Sequence, residues 1–358
     1  MNKNDRILHI DTWRLIAVVL VILHHLTHFS NLSSVAKKFP GIIWRLDSLG
    51  RLGVFLFFCI SGFVICRGLM KEKDASESVS LNAFYVRRGL RIMPPLLVYL
   101  GFVLMLSAVE IIEFPVISAV RSATFVCNFF WLWECGWFAG HTWSLAYEEQ
   151  FYLLFPILFV AMAFSRKPRT LLLIISALTG IILWAQASQH FSLADYCTMF
   201  VYMLYGCASA LYWEKLRPVF NRIPVYLWCF LVISILLLGG LIALPPIARP
   251  LAQVLLLPPL ICVVILGTPT YNPIVRSLFE SRFLSYLGKT SYTVYLWQQL
   301  ATANYPALAP YWNIIFVAGV FLLAHFSYQY FERPLMRIGA RYSASRKNIV
   351  SSNSTVPA

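Results

Sequence analysis

Residues 8 to 29 read LHIDTWRLIAVVLVILHHLTHF, an apolar run with a few ionisable side chains inside it. A helix needs about 20 mostly apolar residues to cross a hydrocarbon core about 30 Å thick, and this run is long enough. It has charged residues within the apolar stretch and no small-residue cleavage site after it, which argues against a removable signal peptide. We therefore expect a first transmembrane helix that stays in the mature protein.

Nine further apolar runs of similar length follow, and the composition of the chain is also that of a membrane protein. The 358 residues are 59% hydrophobic and 12% charged, whereas a soluble domain carries about 25% charged residues. We predict an all-α fold, a polytopic membrane bundle of about ten transmembrane helices with no soluble domain. The expected spans are 8–29, 50–69, 93–113, 146–164, 170–188, 195–213, 224–244, 249–268, 283–303 and 311–331.

Lysine and arginine indicate the orientation, because basic residues are retained on the cytoplasmic side of short loops. With the N-terminus inside, 21 of the 29 basic residues fall on the cytoplasmic side. Both termini are then cytoplasmic, and the protein is integral to the plasma membrane (the bacterial inner membrane). Much of the net charge of +14 is explained by this bias and by the attraction of basic residues to anionic membrane lipids, which are expected partners. Nucleic acid is therefore not an expected partner.

The predicted domain organisation is simple. One transmembrane domain covers 1–341, and 342–358 is a polar cytoplasmic tail with the composition of a disordered segment. The basic stretch 70–95 is expected to form a short amphipathic helix on the cytoplasmic face.

An aromatic segment over 113–142 could be an outer lid or a re-entrant segment. Its tryptophans include Trp131, Trp133 and Trp137. Cys127 and Cys135 share this loop, where an oxidising compartment could join them, but the sequence does not show whether their geometry permits a bond. The other cysteines lie in apolar runs, where thiols behave as small hydrophobic groups. No metal-ligand spacing is present, so no metal is expected.

Ionisable residues in the first helix give the strongest chemical signal, because such groups are costly in hydrocarbon and usually mark a functional site. They are Asp11, Arg14, His24, His25 and His28. From Arg14 to His25 the helix turns about 20° past three full turns and rises about 16 Å, so both lie on one stripe. Asp11 falls within about 60° of Arg14 and can hold it, whereas His24 points about 100° away from His25 and is interpreted as structural. A buried polar lock between helices is the alternative.

A second polar group occurs at 141–152, which reads HTWSLAYEEQFY. Glu148 lies one turn after Ser144 and one turn before Tyr152, so the three share a helical face, while the carboxylate next to it points elsewhere. An interfacial aromatic belt with solvated acids would account for Trp143 and that second carboxylate, but it fits Glu148 poorly.

A third group lies at 87–95, which reads RRGLRIMPP. Arg88 and Arg91 are three residues apart and adjacent on a helical face at the cytoplasmic surface. Guanidinium groups in this arrangement suit phosphate oxygens, which they bind in bidentate fashion. A plain topology signal before a membrane helix is the alternative, and spacing leaves both open.

Together these patterns resemble the acyltransferase 3 family of membrane O-acyltransferases, over nearly the whole chain and in the family's order. One departure matters, because Gln298 stands where many members have a histidine after Tyr-Leu-Trp, so the role of that histidine cannot be carried over. The matching motifs are Asp11 with Arg14 and His25; Gly53 to Phe63 with Ser61; Arg88-x-x-Arg91-Ile-x-Pro94; Trp143-Ser144-Leu-x-x-Glu148-x-x-Phe151-Tyr152; Leu287-Gly-Lys-Thr-Ser291-Tyr292-x-x-Tyr295-Leu296; and Phe331-Glu332-Arg333-Pro334.

The resemblance implies an enzyme that moves an acyl group, most often acetyl, from cytoplasmic acetyl-CoA to a hydroxyl of a cell-surface or lipid-linked carbohydrate. Such acceptors include the O-antigen of lipopolysaccharide and exopolysaccharides. It implies that His25 is the general base, or alternatively forms an acyl-histidine. Arg14, held by Asp11, would stabilise negative charge, and Arg88 and Arg91 would bind the donor phosphates. The implied residues that shape the acceptor site are Ser61, Trp143, Ser144, Glu148, Tyr152, Ser291 and Tyr292.

A transporter or flippase of a glycan or organic acid is the rival interpretation, with the charged first helix as a substrate or proton pathway. Transporters often show paired repeats and interrupted helices, and neither is evident in the sequence.

Overall fold

The computed structural model describes residues 7–33, 38, 40–129, 134–164, 166–241 and 251–353. Over these residues the secondary structure is entirely helical, with sixteen α-helices and three short π-helical segments. The π-helical segments are Leu237–Leu241, Ala252–Leu256 and Tyr328–Glu332. The α-helices are α1 (His9–His28), α2 (Pro40–Ser76), α3 (Leu81–Ala108), α4 (Val116–Ala123), α5 (Gly136–Gly140), α6 (Thr142–Ala161), α7 (Arg169–Ala187), α8 (Phe191–Leu211), α9 (Trp213–Phe220), α10 (Val225–Leu236), α11 (Leu257–Leu266), α12 (Pro273–Phe279), α13 (Arg282–Lys289), α14 (Ser291–Ala301), α15 (Tyr311–Ser327) and α16 (Arg333–Asn353).

The predicted all-helical class is confirmed, but the predicted count of about ten spans is not. Within the described part of the chain, five helices are long and apolar enough to cross a membrane, judged by length and composition. The pair Trp213–Phe220 and Val225–Gly239, bent by 113°, brings the number to six if it counts as one broken span. The five helices are His9–His28, Leu49–Ser76, Leu81–Ala108, Arg169–Ala187 and Tyr311–Ser343.

The remaining predicted spans are helical but more polar or more broken than the sequence analysis assumed. Helix α6 covers the predicted span 146–164 as far as Ala161 and includes Glu148, Glu149 and Gln150 near its start. The predicted span 283–303 is divided at Thr290 into α13 and α14. Apolar run length alone counted these segments as simple crossings, because it does not detect helix breaks.

Helix α3 shows how one helix faces two environments. Leu97, Val98 and Met105 are each more than half exposed, whereas Tyr99 and Val103 are fully buried. An apolar surface of this kind is stable against hydrocarbon rather than water. The buried face of α3 therefore belongs to the interior of the bundle, where the site lies.

Glycines allow α1 to approach its neighbours closely. A Cβ atom at Gly53 of α2 would lie 2.5 Å from the carbonyl oxygen of Ala17 in α1. A Cβ atom at Gly288 of α13 would overlap the carbonyl oxygen of Asp11. Small residues permit such backbone contacts between helices, so α1 packs directly against both α2 and α13.

A disulfide closes the loop between α4 and α5, and a hydrogen bond holds this loop on α6. Cys127 and Cys135 form a disulfide with their Cα atoms 5.8 Å apart, which answers the question that the sequence left open. The side chain of Gln150 in α6 accepts from Asn128 at 2.9 Å, which fixes the loop on α6. Trp131 and Trp133, from the predicted lid, lie outside the described residues.

Two boundary predictions differ from the structure. The stretch 70–95 does not form a separate amphipathic helix, because α2 runs on to Ser76 and includes the two lysines, whereas the three arginines belong to the first turns of the continuous helix α3. Helix α16 runs on to Asn353, so helical backbone enters the 342–358 segment that was predicted as a disordered tail.

Candidate active site

Five helices, α1, α2, α3, α6 and α14, converge on a partly open cavity of about 80 Å³. We call it the arginine cavity. Nine of the twelve predicted site residues line it, and its lining has three guanidinium groups and one carboxylate. The lining residues are Arg14, Val54, Phe57, Phe58, Ser61, Arg88, Arg91, Ile92, Ser144, Leu145, Glu148, Tyr152, Ser291, Tyr292 and Tyr295.

Glu148 is held in the arginine cavity by two hydroxyl groups. Ser61 donates to one carboxylate oxygen at 2.6 Å, and Tyr152 donates to the other at 3.1 Å. The i, i+4 spacing of Glu148 and Tyr152 on α6 makes the second contact possible, as the predicted common face requires. The resemblance assigned these residues to an outer acceptor site, whereas the geometry places them beside the arginines.

The arginines face the same space from two helices. The guanidinium of Arg88 lies over the ring of Tyr152, 4.8 Å from its centroid, which orients the charge by a cation–π contact. Arg88 and Arg91 both lie close enough to Arg14 for mutual repulsion. Three like charges with one carboxylate leave the cavity lining positive, and such a lining favours an anion.

Asp11 does not line the cavity and instead contributes to the contact between α1 and α13. Its side chain is buried and accepts a hydrogen bond from Ser285 of α13 at 3.1 Å. Among the acidic groups that act on Arg14, Asp11 has the largest electrostatic effect. The role of holding Arg14 stays a prediction.

His25 lies in the last turn of α1 and does not line the arginine cavity. Its Nδ1 is 2.8 Å from the side-chain oxygen of Gln298. The ring centroids of Trp137 and Phe29 lie 5.5 and 6.0 Å away from that of His25. We call this surrounding, made by Phe29, Trp137 and Gln298, the histidine pocket.

His24, the residue before His25, packs against helix α2. A Cβ atom at Gly50 would come within 2.6 Å of the His24 side chain, so His24 packs closely against α2. The ring centroids of His24 and His25 are nevertheless 5.2 Å apart, so the two rings are neighbours, and the structural role of His24 stays a prediction. Trp143 also lies outside the cavity, with its ring against those of Phe58 and Tyr147.

One side of α14 connects the two regions. Ser291, Tyr295 and Gln298 are four and three residues apart, so they form one stripe about 10 Å long. The first two line the arginine cavity, and the third contacts His25. The stripe on α14 therefore runs beside the Arg14–His25 stripe on α1.

Tyr295 and His141 stand at the junction of the two regions, and the sequence analysis assigned neither of them a role. The Tyr295 hydroxyl lies 2.6 Å from that of Ser144 and donates to the backbone oxygen of His141 at 2.9 Å. His141 lies in the turn before α6, where burial, and secondarily repulsion from His25, lowers the pKa of its imidazole to about 3. Such an imidazole is neutral and a weak base at neutral pH.

A signal for two of the missed residues was present in the sequence. Tyr295 and Gln298 continue the helical spacing from Ser291, which was already a predicted site residue. His141 begins the quoted stretch 141–152 and lies seven residues before Glu148, close to two helical turns, but it was assigned no role. Among the described residues, no three His, Cys, Asp or Glu side chains come together in a group that could hold a metal ion.

Comparison with known proteins fits this arrangement. The profile of an acyltransferase domain family matches residues 7–331. The chain belongs to this acyltransferase family. Its relatives include the peptidoglycan O-acetyltransferase OatA of Listeria monocytogenes, which is 29% identical over 92% of this chain and 56% of the relative. The O-acetyltransferase OatA of Staphylococcus aureus is 27% identical over 92% of this chain and 57% of that protein.

A third relative, the putative peptidoglycan O-acetyltransferase YrhL of Bacillus subtilis, is 26% identical over 94% of this chain and 56% of its own length. The chain thus spans just over half the length of the curated relatives that it matches. No solved structure matches the chain.

Proposed function

We propose that the chain is a membrane O-acetyltransferase that moves an acetyl group from cytoplasmic acetyl-CoA to a hydroxyl group of a cell-surface glycan. The observation that carries this proposal is the pairing of a positive cavity with a histidine along two parallel helical stripes. The names of two relatives make peptidoglycan the first acceptor to test. Lipid-linked glycans and exopolysaccharides present the same hydroxyl chemistry.

The arginine cavity would bind the anionic part of the donor. Arg88 and Arg91 lie in the first turns of α3, on the side that the basic residues predict to be cytoplasmic. Their planar guanidinium groups match phosphate oxygens, which coenzyme A carries. Glu148, fixed by Ser61 and Tyr152, would keep the guanidinium groups oriented when no donor is present.

His25 would carry out proton transfer at the other end of the stripe. Its imidazole takes the proton of the acceptor hydroxyl as that oxygen attacks the acetyl carbonyl carbon. The new carbon–oxygen bond forms, the carbon–sulfur bond breaks, and the proton passes to the departing sulfur of coenzyme A. Direct transfer needs no covalent enzyme intermediate, and we prefer it to an acyl-histidine route.

Purified protein in lipid nanodiscs tests the proposal. The expected result is release of free coenzyme A from acetyl-CoA that depends on added peptidoglycan fragments or another glycan. Mass spectrometry should find the acetyl group on the glycan. Counterflow of a glycan or organic acid without thioester cleavage would instead support a transporter and contradict the proposal.

We further propose that both termini are cytoplasmic in the plasma membrane. Ser78→Cys and Glu113→Cys are a matched pair, because both positions are exposed and they flank α3 on opposite sides. In intact cells, a membrane-impermeant thiol reagent should label the second variant and not the first, with the parent protein as background. The reverse pattern would invert the orientation and place Arg88 and Arg91 away from cytoplasmic acetyl-CoA.

A further inference from the structure

Gln298 makes the hydrogen bond that decides which nitrogen of His25 is free. It is fully buried, and its side-chain oxygen lies 2.8 Å from Nδ1 of His25. A carbonyl oxygen can only accept a hydrogen bond, so Nδ1 must carry the proton in this arrangement. The lone pair of the neutral imidazole then resides on Nε2.

A second contact fixes the orientation of the Gln298 amide. Its Nε2 donates to the side-chain oxygen of Gln299 at 3.0 Å, which leaves the Gln298 oxygen turned toward His25. Gln299 is buried as well, and its backbone oxygen accepts from the Trp137 indole nitrogen at 3.2 Å. Since Trp137 also packs on the His25 ring, the four residues form a closed set of contacts.

The chemistry of an amide differs from that of a carboxylate at this position. A carboxylate beside an imidazole in a low-dielectric site favours the protonated imidazolium, which cannot act as a base. An amide oxygen orients the ring and selects the tautomer without adding a negative charge. Gln298 therefore suits a histidine that must remain neutral until the acceptor hydroxyl arrives.

We propose that Gln298 is a positioning residue for proton transfer, because its buried side-chain oxygen accepts from Nδ1 of His25 and leaves Nε2 free for the acceptor hydroxyl. This inference rests on the proposed transferase function. It concerns the orientation and tautomer of His25 and involves no contact of Gln298 with either substrate.

Gln298→Leu removes the acceptor and keeps an apolar side chain of similar size. Loss of a hydrogen bond that orients a reactive histidine should lower kcat by about 10- to 100-fold. The KM for acetyl-CoA should stay unchanged, because the arginine cavity is intact. Gln329→Leu is the matched control, since Gln329 also bonds to a side chain but lies on the π-helical segment after α15.

Gln298→Glu keeps an acceptor in place and separates positioning from simple packing. Its kcat should recover to within about tenfold of wild type at high pH. The acid limb of the pH–rate profile should move to higher pH, because the carboxylate stabilises the imidazolium. A kcat that stays as low as in Gln298→Leu at every pH, with no displacement of the profile, would contradict the proposal.

Nitrogen-15 NMR of histidine-labelled protein gives a readout independent of activity, with His25→Ala used to assign the His25 signals. Wild type should show Nδ1 protonated and Nε2 unprotonated, and Gln298→Leu should show a mixture of tautomers. Wild-type kcat and an unchanged tautomer in Gln298→Leu would overturn the inference and leave the transferase function standing. If the proposed transferase function is wrong, wild-type protein would show no turnover. The tautomer measurement would then still decide whether Gln298 orients His25.

Discussion

The arginine cavity and the histidine pocket lie along the same two helices but differ in charge. The cavity lining has three arginines and one glutamate, whereas His25 contacts an amide and aromatic rings. A positive cavity suits recognition of a fixed anion. An amide rather than a carboxylate beside the ring suits an imidazole that must gain and lose a proton near neutral pH. We propose that this difference reflects two separate tasks, donor binding in the arginine cavity and proton transfer in the histidine pocket.

The largest effect should come from the histidine pocket. His25→Ala removes the base and should lower kcat by about 100- to 10,000-fold, the range that general base catalysis contributes. Membrane insertion and the KM for acetyl-CoA should be unchanged. His24→Ala is the control and should be far milder, because that ring packs against α2. Turnover of the His25 variant at the wild-type rate would remove His25 from the mechanism.

The arginine cavity should show the opposite kinetic pattern. Replacing Arg88 and Arg91 together with glutamine should raise the KM for acetyl-CoA by about tenfold or more, because each lost charge-assisted hydrogen bond costs about 1.5 to 3 kcal/mol before solvent screening. The KM for the glycan should stay constant. Arg276→Gln, at an exposed arginine outside the cavity, is the control for lost positive charge.

Lysine replacements sharpen this test. Lysine at both positions keeps the positive charge that orients the protein but loses the planar fork. Correct insertion with weak donor binding would assign the pair to the donor site. Correct insertion with wild-type donor binding would reduce Arg88 and Arg91 to a topology signal.

The smallest effect is expected at the junction between the two regions. Tyr295→Phe removes the hydroxyl that contacts Ser144 and the backbone of His141. Loss of a neutral hydrogen bond should lower the free energy of unfolding by about 1 kcal/mol, with kcat changed only a few-fold. Thermal unfolding in nanodiscs measures the change in stability, and the rate of coenzyme A release measures kcat. A loss as large as that in His25→Ala would show that the regions do not work separately.

Helical periodicity predicted much of the site because its residues repeat on single helix faces. Arg14 and His25 share one stripe on α1, and Glu148 and Tyr152 share one face of α6. Periodicity cannot show which faces of different helices meet. That Glu148 lies beside Arg88 follows from the packing of α6 against α3, which no spacing within one helix encodes.

The count of spans was harder to predict for a related physical reason. The length of the apolar run predicts that 283–303 is one crossing. The helix is interrupted at Thr290, however, and the two helices on either side of it pack against different residues. Helix α13 packs on Asp11 through Gly288, and α14 brings Gln298 to His25. The break therefore lets one apolar run serve both regions of the site.

The dissociation constant of acetyl-CoA in nanodiscs, measured by titration calorimetry on two variants, tests the separation of tasks most directly. His25→Ala should bind acetyl-CoA as tightly as wild type. The Arg88→Gln and Arg91→Gln double variant should bind it at least about tenfold more weakly, which corresponds to about 1.4 kcal/mol. Equal weakening in both variants, or wild-type binding by the arginine variant, would contradict the division between the arginine cavity and the histidine pocket.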